Sequence, residues 1–288
     1  MRKVAFQGEL GAYSHMACTR VFPEHEAMPC RSFREALRAV SSQQADVCLV
    51  PTENSVAGRV AELHRLLPEM TLHMVAEHFQ PIRHTLMTRP GVSVKTVKEA
   101  WSHPQALAQC RKTLETMGIT PITHPDTAGS ARLLRDSTET TVGVIASEHA
   151  ADIYGLQVVA DNLQDQDHNM TRFIALRNSP LAVETTRNIP SVTSLIFRLR
   201  SVPAALYKAL GGFATNGINL TRIESYLERG SFEAACFFVD AEGHWEDASM
   251  QQAMDELRFY CEDDGIQWLG TYPAHPLRKS RMIPREGT

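Results

Sequence analysis

At 288 residues with 43% hydrophobic side chains, the chain can bury a substantial core, and its length suggests about two domains. The formal charge of -4 gives no cationic field for nucleic acid, because Lys and Arg are dispersed apart from a small cluster of Arg278, Lys279 and Arg281. No run approaches the roughly 18 apolar residues of a membrane span, so neither nucleic acid nor membrane is an expected partner.

The start, Met1 to Gly8, is basic without a long apolar stretch, so a cytoplasmic location is expected. Six cysteines (Cys18, Cys30, Cys48, Cys110, Cys236, Cys261) form no Cys-x-x-Cys pair and read as reduced, mostly buried thiols. Twelve histidines show no ligand spacing, so no metal is expected.

From Lys3 to about Leu176 short β-type runs alternate with helical ones, the pattern of parallel α/β layers. Val4 to Phe6 is a strand leading through the loop Gln7 to Ser14 into a helix that ends before Pro23. Ser32 and Glu35 have capping-box spacing and open a helix carrying Ala36, Leu37 and Val40 on one side. Val47 to Val50 is a short strand stopped by Pro51, and the polar turn Thr52-Glu53-Asn54-Ser55 follows it at the position where open α/β sheets hold ligands.

Strands at His84 to Thr88, Ile119 to Thr123 and Val142 to Ile145 read as a second lobe, and two lobes imply a cleft. Between them Ser102 and Gln105 again have capping-box spacing, which places Ser102 at a helix N-terminus, Gln109 two turns along the same face, and Gly118 at the left-handed close. Ser102 serves either as a cap alone or as a ligand group, and Gln109 either faces water or the ligand. Asn169-Met170-Thr171-Arg172-Phe173 feeds a polar loop into the apolar strand Ile174 to Leu176, a junction where side chains can face a ligand. Alternation puts Thr171 and Phe173 on one side and Arg172 on the other, where it meets a ligand carboxylate or an ion-pair partner.

Residues 178–191 read as a linker. Beyond it Leu195, Phe197 and Leu199 alternate as a strand, and Leu206, Leu210 and Phe213 form a helical stripe. Strands at Ile218 to Ile223 and Phe232 to Val239, a stripe of Met254, Leu257 and Cys261, and a strand at Ile266 to Leu269 complete a βαββαβ, ferredoxin-like unit. The tail from Pro276 reads as loose, with solvated basic residues.

Taken in order, Gly8 to Ser14, Pro51-Thr52-Glu53-Asn54-Ser55, Ser102-His103-Pro104-Gln105 and Thr171-Arg172-Phe173 resemble the motif series of prephenate dehydratases. The βαββαβ unit, with Gly217-Ile218-Asn219-Leu220-Thr221-Arg222-Ile223-Glu224-Ser225, looks like the ACT regulatory domain that follows the catalytic part in that family. The resemblance implies a two-lobed, periplasmic-binding-protein-like catalytic domain over residues 1–177, its second lobe roughly 80–165, then the linker, an ACT domain over 192–275 and a tail over 276–288, in the monofunctional arrangement. It implies decarboxylation and dehydration of prephenate to phenylpyruvate without cofactor or metal. It further implies feedback by phenylalanine and a homodimer or homotetramer.

Carried over residue by residue, the resemblance gives Thr171 the role of donor to the leaving hydroxyl, with Asn54, Ser102 and Gln109 holding substrate oxygens. Arg172 is the candidate carboxylate partner, with Phe173 under Thr171 or against the substrate ring; Ser14, Glu53 and Thr127 are further candidates, Glu53 in an orienting role because an ionised carboxylate would repel a dianion. His103 and His168 are either acids of the reaction or loop and capping histidines, since a decarboxylation need not use them. For the effector the candidates are Ala205, Leu206, Gly217, Asn219, Leu220, Glu224 and Ser225. Where the family usually reads Gly-Ala-Leu and Glu-Ser-Arg-Pro, this chain has Pro203-Ala204-Ala205-Leu206 and Glu224-Ser225-Tyr226-Leu227, which puts effector binding in question. Two other readings remain: an arogenate dehydratase, and a non-catalytic sensor of aromatic amino acids.

Overall fold

The computed structural model describes residues 1–227 and 234–279. They form two compact units, Met1–Leu63 with His78–Phe173, and His64–Glu77 with Ile174 onward.

The first sheet is built from β1 (Lys3–Gln7), α1 (Tyr13–Val21), β2 (Glu26–Cys30), α2 (Phe33–Ser41), β3 (Val47–Asn54), β4 (Gly58–Arg59), α3 (Ala61–Leu66) and β5 (His73–Pro81). The next segment holds β6 (Thr85–Thr88), β7 (Glu99–Ser102), α4 (Pro104–Gln109), α5 (Arg111–Met117), β8 (Thr120–Thr123), α6 (Thr127–Asp136), β9 (Val142–Ala146), α7 (Glu148–Tyr154) and β10 (Gln157–Ala160). The chain then returns to the first sheet as β11 (Met170–Arg177). Strand order is β2-β1-β3-β11-β5 with β4 on β3 in the first sheet, and β10-β6-β9-β7-β8 in the second.

The apolar runs explain the layering. Val4, Ala5 and Phe6, and Val47 to Val50, are fully buried, as strands covered on both faces must be. In the second sheet neighbouring residues serve opposite cores: Leu86, Ala100 and Ile145 pack with Leu107 and Leu114, whereas Met87, Val142 and Val144 pack with Ala131 and Leu134. That sheet is mixed rather than parallel, since β6 runs antiparallel to both β9 and β10 while β7 is parallel to β8 and β9.

Several local expectations are corrected. Pro51 does not stop β3, which continues to Asn54; its pairs with β1, Val4↔Val47 and Ala5↔Cys48, lie upstream of the proline and lose nothing by its missing N–H. Ser32 caps α2 from Glu35 N–H as expected, but the Glu35 carboxylate accepts from Arg31 N–H, one residue before the box position. Ser102 is the last residue of β7, and His103 is the cap, its Nδ1 accepting from Gln105 N–H. The helix expected to run on to Gly118 breaks at Cys110, because the Asp165 carboxylate accepts from Lys112 and Thr113 N–H and so caps α5 separately. Gly118 does close α5 in the left-handed conformation.

The second unit contains β12 (Ser191–Leu199), α8 (Ala205–Thr215), β13 (Leu220–Leu227), β14 (Ala234–Glu242), α9 (Ala248–Tyr260), β15 (Cys261–Pro273) and α10 (Pro276–Lys279). Its antiparallel sheet has the order β13-β14-β12-β15, the ferredoxin-like arrangement. Leu195, Phe197, Phe237 and Val239 on one face bury against Ala209 and Phe213 of α8 and Met250, Met254 and Leu257 of α9. The expectation of a loose tail is corrected up to α10: Arg278 grips both oxygens of the fully buried Glu77, Nε to Oε1 at 2.6 Å and Nη2 to Oε2 at 2.8 Å. Arg281 lies outside the described residues.

Candidate active site

A cavity of about 410 Å³ opens in the first unit, lined by Tyr13, Ser14, Asn54, Arg59, His84, His103, Gln109, Asp126, Thr127, Thr171 and Phe173 among others. Its wall combines the carboxyl end of β3, the start of β11 and the first turns of α1, α4 and α6. Helix starts and strand mouths expose backbone N–H groups, a setting that suits an anion.

The hydrogen bonds have a readable direction. Asn54 Oδ1 accepts the backbone N–H groups of Val56 and Ala57 at 3.0 and 2.8 Å, which fixes its amide nitrogen on the opposite side. That nitrogen donates to Asn169 Oδ1 at 2.7 Å and to Thr171 Oγ1 at 3.0 Å. Thr171 therefore already accepts a bond, and its own proton is the part available to a ligand. Asn169 in turn donates to Gln109 Oε1 at 2.9 Å, and His84 Nε2 lies 2.7 Å from the same oxygen. The Tyr13 hydroxyl stands 2.8 Å from His84 Nδ1 and 2.7 Å from the Arg83 carbonyl.

Burial sets the ionisation of this group. It pushes the Tyr13 phenol well above its usual range and draws the His84 imidazole below its own, a shift that the bond to Gln109 only partly offsets. Both are neutral near pH 7. The charged side chains lining the cavity are Arg59 and Asp126, the latter occupied in capping α6 through Gly129 N–H.

Of the residues expected here, Ser14, Asn54, Gln109, Thr127, Thr171 and Phe173 line the cavity, while Ser102, Glu53 and Arg172 do not. Ser102 is fully buried and donates to the Ile145 carbonyl at 2.5 Å, joining β7 to β9. Arg172 is also buried and pairs with Glu53 at 3.2 Å. His103 lines the wall, whereas exposed His168 contributes its carbonyl to the Ser55 hydroxyl. Sequence reasoning gave Tyr13, Arg59, His84 and Asn169 no role of their own; the signal present was position, since Tyr13 adjoins Ser14, Asn169 precedes Thr171 by two, and His84 immediately precedes β6.

In the second unit the effector candidates divide. Ala205 and Leu206 start α8 after Ala204, a non-glycine residue at φ +60, and Gly217 follows the helix at φ +68. Asn219 donates to Glu242 at 3.0 Å, and Leu220 packs on the helix-side core. Glu224 pairs with Arg222 at 2.8 Å. Ser225, one residue on, faces the other side of β13, the side of Phe237.

Residues 4–180 match the family model described as prephenate dehydratase. A bifunctional N-acyl-homoserine lactone acylase/prephenate dehydratase of Komagataeibacter europaeus is 41% identical over 278 residues, 96% of this chain and 98% of that protein. Arogenate dehydratase/prephenate dehydratase 1 of Arabidopsis thaliana is 38% identical, covering 96% of this chain and 73% of that one. The structure of prephenate dehydratase from Arthrobacter aurescens, in complex with L-Phe, superposes with a TM-score of 0.85 at 29% identity, over 94% of this chain and 90% of that chain.

Proposed function

The chain belongs to the prephenate dehydratase family, and on that premise we propose that it converts prephenate to phenylpyruvate, carbon dioxide and water in the cavity around Thr171. The ring carboxylate leaves as carbon dioxide, its bonding electrons complete the aromatic ring, and the ring C–O bond breaks to release hydroxide, which takes a proton from solvent and departs as water. Aromatisation supplies much of the driving force, so the site has to hold the geometry and meet the negative charge growing on the leaving oxygen. The carrying observation is the one-way bond from Asn54 to Thr171, which leaves the Thr171 proton free for that oxygen. A threonine hydroxyl is a weak acid in water, so its contribution is a hydrogen bond that strengthens as the C–O bond breaks.

Gln109, Ser14, Thr127 and Arg59 supply neutral donors and one cation for the two carboxylates. Ser102 and Arg172 belong to the support of the site: Ser102 fixes β7 to β9, and Arg172 orients Glu53 beside Asn54. We further propose phenylalanine as effector of the second unit, a homo-oligomeric enzyme and a cytoplasmic location; the L-Phe complex of the Arthrobacter aurescens relative supports the first of these. Among the described residues no helix is long and apolar enough to cross a membrane.

Arogenate is the second reading, favoured by the naming of the Arabidopsis thaliana relative. It differs from prephenate by an amino group in place of the side-chain keto oxygen, a change one or two pocket contacts can discriminate. The deciding experiment measures phenylpyruvate from prephenate beside phenylalanine from arogenate with the purified chain. A larger kcat/KM for arogenate overturns the substrate assignment, and no turnover of either overturns the lyase reading.

A further inference from the structure

We infer that His84 is a positioning residue for the lyase reaction: by donating from Nε2 to Gln109 it holds that side chain's carbonyl and leaves the Gln109 amide nitrogen to the bound substrate. The inference rests on the dehydratase reading of the cavity. It adds His84 and Tyr13 to the residues that make that cavity work.

The argument is one of hydrogen-bond polarity. It begins at two groups that can only donate, the backbone N–H groups of Val56 and Ala57, both directed at Asn54 Oδ1. Asn54 must then present its nitrogen to Asn169 Oδ1, and Asn169 must present its own nitrogen to Gln109 Oε1. The Gln109 oxygen is therefore an acceptor, and the ring nitrogen 2.7 Å away, His84 Nε2, carries a proton. His84 is 2% exposed and neutral, so Nδ1 bears the lone pair and faces the Tyr13 hydroxyl 2.8 Å away. That hydroxyl has one proton and two acceptors within reach, His84 Nδ1 and the Arg83 carbonyl at 2.7 Å, which share it. His84 N–H also donates to Gln164 Oε1 at 2.9 Å, which seats the residue from the main chain.

The consequence lies at Gln109. With Asn169 and His84 both donating to its oxygen, the amide cannot rotate without placing N–H against N–H at two contacts. Its nitrogen is thereby assigned to the cavity that Gln109 lines. A ligand carboxylate then meets a donor whose orientation is set before binding, which is the condition for electrostatic preorganisation. The other tautomer of His84 would put a lone pair against the Gln109 oxygen and release the amide.

Two substitutions separate this role from simple packing. Gln at position 84 can place an amide nitrogen near the lost Nε2, whereas Asn reaches only the Nδ1 position. In the full chain His84→Gln should keep kcat/KM for the turned-over substrate within about tenfold of wild type, while His84→Asn should lower it by about 10²-fold, the order of a misplaced active-site group. Both should unfold at similar urea concentrations. Independently, long-range ¹⁵N–¹H spectra of wild type should show His84 protonated at Nε2, and this readout stands if His84→Asn fails to fold.

An active wild type with His84→Asn as fast as His84→Gln, or with His84 protonated at Nδ1, overturns the inference and leaves the dehydratase reading in place. A wild type that turns over neither prephenate nor arogenate overturns the dehydratase reading, and the inference with it.

Discussion

Thr171 and Arg172 are consecutive in β11 and face opposite ways: Thr171 Oγ1 lines the cavity 3.0 Å from Asn54 Nδ2, while Arg172 is buried and bonds Glu53 Oε1 at 3.2 Å. Strand alternation sends one side chain to the cavity and its neighbour into the interior. Arg172→Met should therefore act on stability, by roughly 2 kcal/mol, less than for a fully buried pair because Glu53 keeps access to water. The KM of the folded variant should stay within about threefold of wild type. Urea unfolding with steady-state kinetics checks this, and a tenfold rise in KM at unchanged stability would place Arg172 on the substrate instead.

Thr171→Ala should lower kcat by about 10²- to 10³-fold with little change in KM, the behaviour of a bond made mainly in the transition state. Asn54→Asp should imitate it with Thr171 intact. A carboxylate still accepts from Val56 and Ala57 N–H, but its other oxygen has no proton to give Thr171 and instead takes the threonine's own. The double variant should be no slower than either single one; additive losses would show that the two residues act separately.

The motifs made Thr171 and Asn54 readable because a polar cluster at a strand mouth is a local pattern. The core was readable for the same reason, through runs such as Val47 to Val50 and the alternation of Leu195, Phe197 and Leu199. What escaped was decided by distant partners. Cys110 breaks a helix because Asp165 caps the following turn. Ser102 looked like a cap, yet its hydroxyl is consumed by the Ile145 carbonyl on a neighbouring strand. His84 has no motif of its own, and its role exists only once Tyr13 and Gln109 are brought to it.

Arg278 is a tail residue by sequence and an interior ion-pair partner in the fold. Glu77 has no exposure of its own, so Arg278→Ala leaves a buried carboxylate without its bidentate partner and should cost about 3 kcal/mol. Glu77→Gln in the same chain should restore part of the loss, because one of the two buried carboxylates that Arg278 faces, Glu77 and Asp240, is then neutral. Thermal or urea unfolding of the two single variants and the double variant measures the coupling. Equal stability of Arg278→Ala and wild type would return the tail to solvent.

Ala204 sits before α8 at φ +60 and ψ 26, a left-handed conformation that a Cβ disfavours, in the place where the family resemblance has glycine. Ala204→Gly removes that strain but enlarges the freedom of the unfolded chain, so a net gain of about 0.5–1 kcal/mol is expected. The urea midpoint should rise with an unchanged m-value. A fall in midpoint would mean that the Ala204 methyl makes a contact worth more than the backbone strain.

His15 couples the first unit to pH. It is 7% exposed, stacks on Phe6 with ring centroids 5.5 Å apart, accepts from Gly11 N–H at 3.0 Å and stands 3.1 Å from His149 Nε2. Burial first, and then His149, lower its pKa to about 4. The unfolded chain binds this proton near about 6.5, so between those values the unfolded state holds more protons than the folded one. Stability from His15 is therefore complete above about 6.5, declines as pH falls through that range, and levels off below about 4, where both states are protonated. At about 1.4 kcal/mol per tenfold change in proton affinity, the loss has a ceiling of roughly 3 kcal/mol. His15→Asn keeps an acceptor near Nδ1 but cannot titrate, so its unfolding free energy should fall less than that of wild type between pH 7 and 4.5. Parallel declines in the two proteins would assign the acid sensitivity to other groups.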